Sequence, residues 1–253
     1  MELRLIVLLL AACSSNKPRT GDDATHPPPP LRDAAFAIDA PVVVPSSAGK
    51  TGDLQVRVEW RDVPIPMRAS PGRTACKTPR LPTVAPTTTW GVPEVLVVVE
   101  GATIPSASSR IVLADCALAP RIVASTSVVV ESATDRPTQL SLAKRGDLAS
   151  IDKLEKGTPR PVQLPIAGHA VALPLDASGI YELAADTETA WIVAAPNAGV
   201  TESNGALLVR DLTPGSYAVT AWLPPRAGAP AKLAKGTATV VAGDLADLTL
   251  TLK

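Results

Sequence analysis

The chain has 253 residues and carries 24 Lys+Arg against 24 Asp+Glu, a formal net charge of +0. Its basic residues are scattered, so the electrostatic footprint of a nucleic-acid binder or a polybasic membrane patch is missing. Aromatic residues make up only 3%, while Gly and Pro number 16 and 26, a composition of short strands broken by turns with β-branched side chains filling the core.

The first element is Met1 to Cys13, MELRLIVLLLAAC, in which Arg4 is the only basic side chain before the apolar run Leu5 to Ala12. A spanning helix needs about 20 apolar residues, so this run is too short to cross a bilayer. Ending in Leu10-Ala11-Ala12-Cys13, it resembles a bacterial lipoprotein signal peptide. The resemblance implies a signal peptide over 1–12, diacylglycerol on the Cys13 sulfur and anchoring in the cell envelope. An ordinary secretory leader is the alternative. Ser14 behind the cysteine points to the outer membrane by the common sorting rule.

Residues 13–51 read as a linker, with Pro27 to Pro30 in a row, then Pro41 and Pro45, and Ser, Asp, Thr and Gly between them. Such a segment cannot bury enough apolar surface to fold alone, so a disordered tether is expected. Its end, Ala48-Gly49-Lys50-Thr51, resembles the tail of a phosphate loop. However, Val44 stands where the leading glycine belongs and a strand follows, which argues against a nucleotide site.

Order is expected from residue 52. Leu54, Val56, Val58 and Trp60 alternate with polar residues, the period of a half-buried strand. A proline-rich excursion from Pro64 to Pro86 holds Cys76, and the unbroken run Val95 to Val99 suits a central strand. Further strands are expected at Arg110–Leu113, Arg121–Ala124, Val128–Glu131, Gln139–Ala143 and His169–Leu173, with a weak helical turn over Leu148–Lys156. Ile180–Ala184, Trp191–Ala195, Ala206–Arg210, Ser216–Trp222, Thr237–Ala242 and Leu245–Leu252 complete the set. Asn197, Gly199, Asn204-Gly205, Pro214-Gly215 and Gly243-Asp244 read as the turns between them. The expected fold class is all-β, with two antiparallel β-sandwich domains over 52–174 and 175–253.

With Cys13 set aside, Cys76 and Cys116 remain. An even pair in an exported protein suggests a disulfide, with two unpaired buried thiols as the alternative.

Val200 to Trp222, VTESNGALLVRDLTPGSYAVTAW, resembles the carboxypeptidase regulatory-like, transthyretin-like module through Thr201, Gly205, Leu208, Leu212, Pro214, Gly215 and Tyr217. Glu202 stands where that module usually has Asp. Asn204-Gly205 supplies the positive-φ residue of a tight hairpin, Pro214-Gly215 suits a type II turn, and Tyr217 is expected on the inner face with its hydroxyl at an edge. Upstream, Glu94 to Glu100, Asp115 to Arg121 and Gly179 to Leu183 are similar to a cupredoxin-like domain of Greek-key type. That resemblance implies copper-ligand positions at Thr138 or Gln139, where a histidine is usual, and at Ala185 and Glu188, which replace a cysteine and a histidine.

A blue-copper site needs two imidazoles and a thiolate. His26 falls in the linker and His169 alone cannot supply both, while Met67 lies in the proline-rich excursion. Copper electron transfer is therefore disfavoured and no cofactor is expected. His169 lacks a Gly-x-Ser-x-Gly nucleophile elbow to serve, so hydrolase chemistry is disfavoured too. Trp60, Trp191 and Trp222 fall in strand patterns and read as core or as an interdomain seam. Trp90 lies outside any strand and is the candidate ligand contact, by stacking on a sugar face. The expectation is a non-enzymatic, lipid-anchored envelope protein that binds or scaffolds. A glycan- or peptidoglycan-binding lipoprotein is the alternative. The membrane is the expected partner, with an envelope protein or glycan beside it and no nucleic acid.

Overall fold

The computed structural model describes residues 50–106, 109–176, 178–227 and 229–253. The leader, Cys13, His26 and the linker as far as residue 49 lie outside the described residues. In chain order the strands are β1 (Gly52–Glu59), β2 (Leu96–Val99), β3 (Ser109–Ala114), β4 (Ala117–Ala119), β5 (Ile122–Ala124) and β6 (Val128–Ser132). Then follow β7 (Thr138–Gly146), β8 (Arg160–Leu164), β9 (Ala170–Ala172), β10 (Gly179–Ala185) and β11 (Glu188–Ala194). The last five are β12 (Ala198–Val200), β13 (Ala206–Leu212), β14 (Gly215–Leu223), β15 (Lys232–Val240) and β16 (Leu245–Thr251). A single helical turn, α1 (Ile65–Arg68), opens the proline-rich excursion, and the helical turn expected from residue 148 is a 3-10 turn over Leu148–Ser150.

These strands form four sheets, ordered β13-β1-β16, β12-β2-β14-β15, β5-β11-β10-β7-β8 and β4-β3-β6-β9. The fold is all-β and its sheets are mixed: β1 runs parallel to β16, β3 to β6 and β5 to β11, while the other pairings are antiparallel.

The alternation of side chains explains how the sheets stack. Along β2, Val97 and Val99 point into a core shared with Leu54, Val56 and Val58 of β1 and Tyr217 and Val219 of β14. Leu96 and Val98 point the other way, into a second layer with Trp191, Val193 and Trp222. β11 repeats the device: Trp191 and Val193 face that layer, and Ala190, Ile192 and Ala194 face a third core with Ile111, Leu142 and Leu183. β2 and β11 are thus covered on both faces, which is why Leu96–Val99 and the stretch 190–194 read as unbroken apolar runs. In the middle layer the rings of Trp191 and Trp222 meet edge to face, centroids 5.5 Å apart. Trp60 is buried in the first core, so all three strand tryptophans are interior.

Strand pairing crosses the boundary expected at residue 174. β1 and β2 join β12 to β16, whereas β10 and β11 join β3 to β9. The first sandwich is therefore built from two separated pieces of chain, and the second is inserted between them. The physical reason is in β1 and β2 themselves: the core they face is completed by residues of β13, β14, β15 and β16.

The turn chemistry agrees at Asn204-Gly205, where Gly205 has φ +79° and the Asn204 side-chain oxygen accepts from the Ala206 N–H at 2.8 Å. A Cβ at Gly205 would lie 2.5 Å from the Val92 nitrogen, so the site also needs glycine for close approach. At Pro214-Gly215 the expected type II turn is not formed. Gly215 lacks the positive φ that turn requires; the positive φ of Asp211, +58°, falls within β13, where its pairing with β1 shifts register. Tyr217 is buried as expected, and its hydroxyl donates to the Thr213 carbonyl at 2.7 Å.

Candidate functional site

The proline-rich excursion is shaped by local contacts rather than by regular structure. Its segment 71–83 folds back on itself through Arg80 N–H to the Gly72 carbonyl and Thr74 N–H to the Thr78 carbonyl, both 2.9 Å. The turn joining β3 and β4 receives it: Asp115 and Cys116 both have positive φ, +50° and +60°, as the two central residues of a type I′ hairpin require. Cys116 is joined there to Cys76 by a disulfide, with an S–S distance of 2.02 Å. The Thr74 hydroxyl lies 3.0 Å from the Asp115 carbonyl oxygen, so a hydrogen bond supports the covalent link. At the far end of the segment, Thr83 donates from its hydroxyl to the Ala227 carbonyl at 3.0 Å.

The clamped segment forms one wall of a cleft of about 90 Å³. Leu118 of β4, the Thr187–Thr189 turn of the β10–β11 hairpin, Trp191 and Arg226 form the opposite side. Three guanidiniums line this space, those of Arg80, Arg121 and Arg226. Arg80 forms an ion pair with Glu188, Nε to Oε1 2.6 Å, and its Nη2 donates to the Thr187 hydroxyl. The Arg80–Glu188 approach lacks hydrogen-bond alignment, so it is a Coulombic contact.

Arg121 and Arg226 share one carboxylate, Glu94. Arg121 approaches it through Nε at 2.8 Å and Nη2 at 2.6 Å, and Arg226 through Nη2 at 3.4 Å. Arg226 also donates to the backbone carbonyls of Thr83 at 2.9 Å and Glu94 at 3.0 Å. Only 8% of its side chain is exposed, and its Nε has no hydrogen-bond partner. Burial, followed by the neighbouring Arg121 charge, pulls the Arg226 guanidinium down to about 10 against the opposing pull of Glu94. At neutral pH it stays charged, so the cluster holds a cation that is costly to bury and incompletely compensated.

The positions expected from sequence are distributed as follows. Thr138 opens β7, Ala185 closes β10 and Glu188 opens β11, and the pairings Ala184–Ser141 and Ala185–Glu188 bring all three to one end of the same sheet. Ala185 is buried in the third core, the Thr138 hydroxyl donates to the Arg136 carbonyl at 3.3 Å, and Glu188 is the Arg80 partner. Among the described residues no group of three or more His, Cys, Asp and Glu is placed to hold a metal ion. His169 is exposed next to β9, and Met67 packs against the first core.

Trp90 sits away from this cleft at φ +66°, held by its N–H to the Thr87 carbonyl at 3.0 Å and by Trp60 N–H donating to its own carbonyl at 3.1 Å. Trp90 is 38% exposed, and the Arg68 guanidinium lies over its ring, 5.5 Å from the centroid. A shallow concavity beside it is lined by Arg68, Val84, Pro86 and Thr87.

Sequence reasoning did not single out Arg80, Glu94, Arg121 or Arg226 as a group. No local pattern groups them, because the four positions lie far apart in the chain. Comparison with protein-family models, with curated proteins and with solved structures finds no match for this chain.

Proposed function

We propose that the protein is a non-enzymatic, lipid-anchored binding module of the bacterial cell envelope, with the arginine-lined cleft as its binding surface. The Cys76–Cys116 disulfide carries this reading, because such bonds persist in oxidising compartments outside the cytosol and this one closes a wall of the cleft. The sequence Leu10-Ala11-Ala12-Cys13 supports the anchor, and Ser14 supports the outer membrane. Two or more acyl chains on Cys13 would hold the protein stably, at about 0.8 kcal/mol for each buried CH₂. The expected result is that Cys13→Ser abolishes palmitate labelling and moves the protein out of the membrane fraction. Unchanged labelling and fractionation would refute the anchor.

A second reading, glycan binding, rests on Trp90, whose partly exposed ring borders an open concavity. The Arg68 guanidinium lies over that ring, and its N–H groups would donate to the hydroxyls of a sugar bound beside it. On this reading Trp90→Ala loses signal on a glycan or peptidoglycan array. An array on which the parent chain itself gives no signal removes the reading.

A further inference from the structure

The charges of the cleft do not cancel. Three guanidiniums face two carboxylates, Glu94 and Glu188, which leaves one positive charge over. The nearby turn residues Asp115 and Asp186 are exposed to water, where their influence is screened. One donor is also left over: the Arg226 Nε is buried without a hydrogen-bond partner. The rest of the lining mixes apolar and hydroxyl-bearing side chains, Pro79, Leu118 and Trp191 beside Thr74, Thr187 and Thr189, with Leu81 standing 59% exposed among them.

We infer that the cleft binds a carboxylate monoanion carrying a small apolar substituent. The inference rests on the proposed role of this cleft as a binding surface and names its ligand class. A planar carboxylate matches the forked donors of a guanidinium, and one negative charge balances the one left over. A phosphate dianion would overshoot the balance and meet Glu188 at close range. The volume of about 90 Å³ corresponds to only a few water molecules, which suits a carboxylate and a few carbon atoms. Such a group occurs both in free short-chain acids and at the C-terminus of a peptide ending in a small apolar residue.

The test is calorimetric titration of the full chain with propionate, N-acetyl-alanyl-alanine, the C-terminal amide of that dipeptide, and inorganic phosphate. At least one carboxylate probe is expected to bind. Propionate binding as tightly as the dipeptide identifies the free acid, and a clear preference for the dipeptide identifies the peptide terminus. The amide and phosphate should each bind at least tenfold more weakly than the better acid. Arg80→Gln should weaken that acid at least tenfold. Glu188→Gln, which removes a competing negative charge, should tighten it several-fold, a gain that misfolding cannot produce. Equal binding of acid and amide, or weaker binding by Glu188→Gln, overturns the inference. Phosphate binding in preference to both acids overturns the ligand class but leaves the cleft as a binding surface. Silence from every probe removes both the ligand class and the cleft, while the membrane anchor stands or falls separately on Cys13→Ser.

Discussion

Glu94→Gln is expected to destabilise the fold by about 3 kcal/mol, the cost of removing one partner from a largely buried ion pair. Glu94 is the carboxylate shared by Arg121 and Arg226, and without it two guanidiniums face each other with only backbone carbonyls to receive them. Glu94 itself is 26% exposed, which keeps the expected loss at the lower end of the range for buried pairs. For a chain of this size the melting temperature should fall by roughly 6–12 °C. Adding Arg226→Met should recover part of the loss, because the buried cation is then gone as well as its partner. A melting curve for Glu94→Gln that overlays the parent curve would show that water already screens the cluster. Failure of the double variant to recover would place the cost in the lost backbone contacts instead.

The second large effect is expected from Cys76→Ser with Cys116→Ser. The bond spans a sequence separation of 40, and on the chain-entropy model its loss costs about 4 kcal/mol. The native segment has other attachments: Thr74 to Asp115, Arg80 to Glu188, the Thr83 hydroxyl to the Ala227 carbonyl and Arg226 to the Thr83 carbonyl. These predict that the cleft wall stays in place in the folded protein and that the loss acts mainly through the unfolded chain. Denaturant midpoints should fall sharply, while amide exchange at Thr74 and Arg80 remains protected under native conditions. Rapid exchange at both amides would show instead that the disulfide holds the wall in place.

The strand pattern was legible wherever alternation or an apolar run marked a buried face, as in β1, β2, β10 and β14. Three short strands escaped notice. β8 contains Pro161 and lies at the edge of its sheet, where a missing N–H is tolerated. β12 contains Gly199, read as a turn but placed where a Cβ would lie 2.8 Å from the Leu207 side chain. β4 follows a type I′ turn made by Asp115-Cys116 rather than the familiar Asn-Gly. The grouping of strands into sandwiches was not legible, because alternation reports which residues are buried and not what buries them. The arginine cluster was hidden for a similar reason. Its members are spread from residue 80 to residue 226, and each alone looks like an ordinary surface cation.

The split first sandwich bears on the order in which the chain can assemble. All strands of the inserted sandwich, β3 to β11, are contiguous and can find one another while the rest of the chain is still being made. β1 emerges long before β16, its parallel neighbour over Asp53–Glu59, and must wait for it with a hydrophobic face uncovered. Pairings this distant in sequence are slow to form because loop closure precedes any gain from contact. A strand kept waiting in that way is a natural client for a holding chaperone, and the inserted sandwich is the first part of the molecule that such a helper could release.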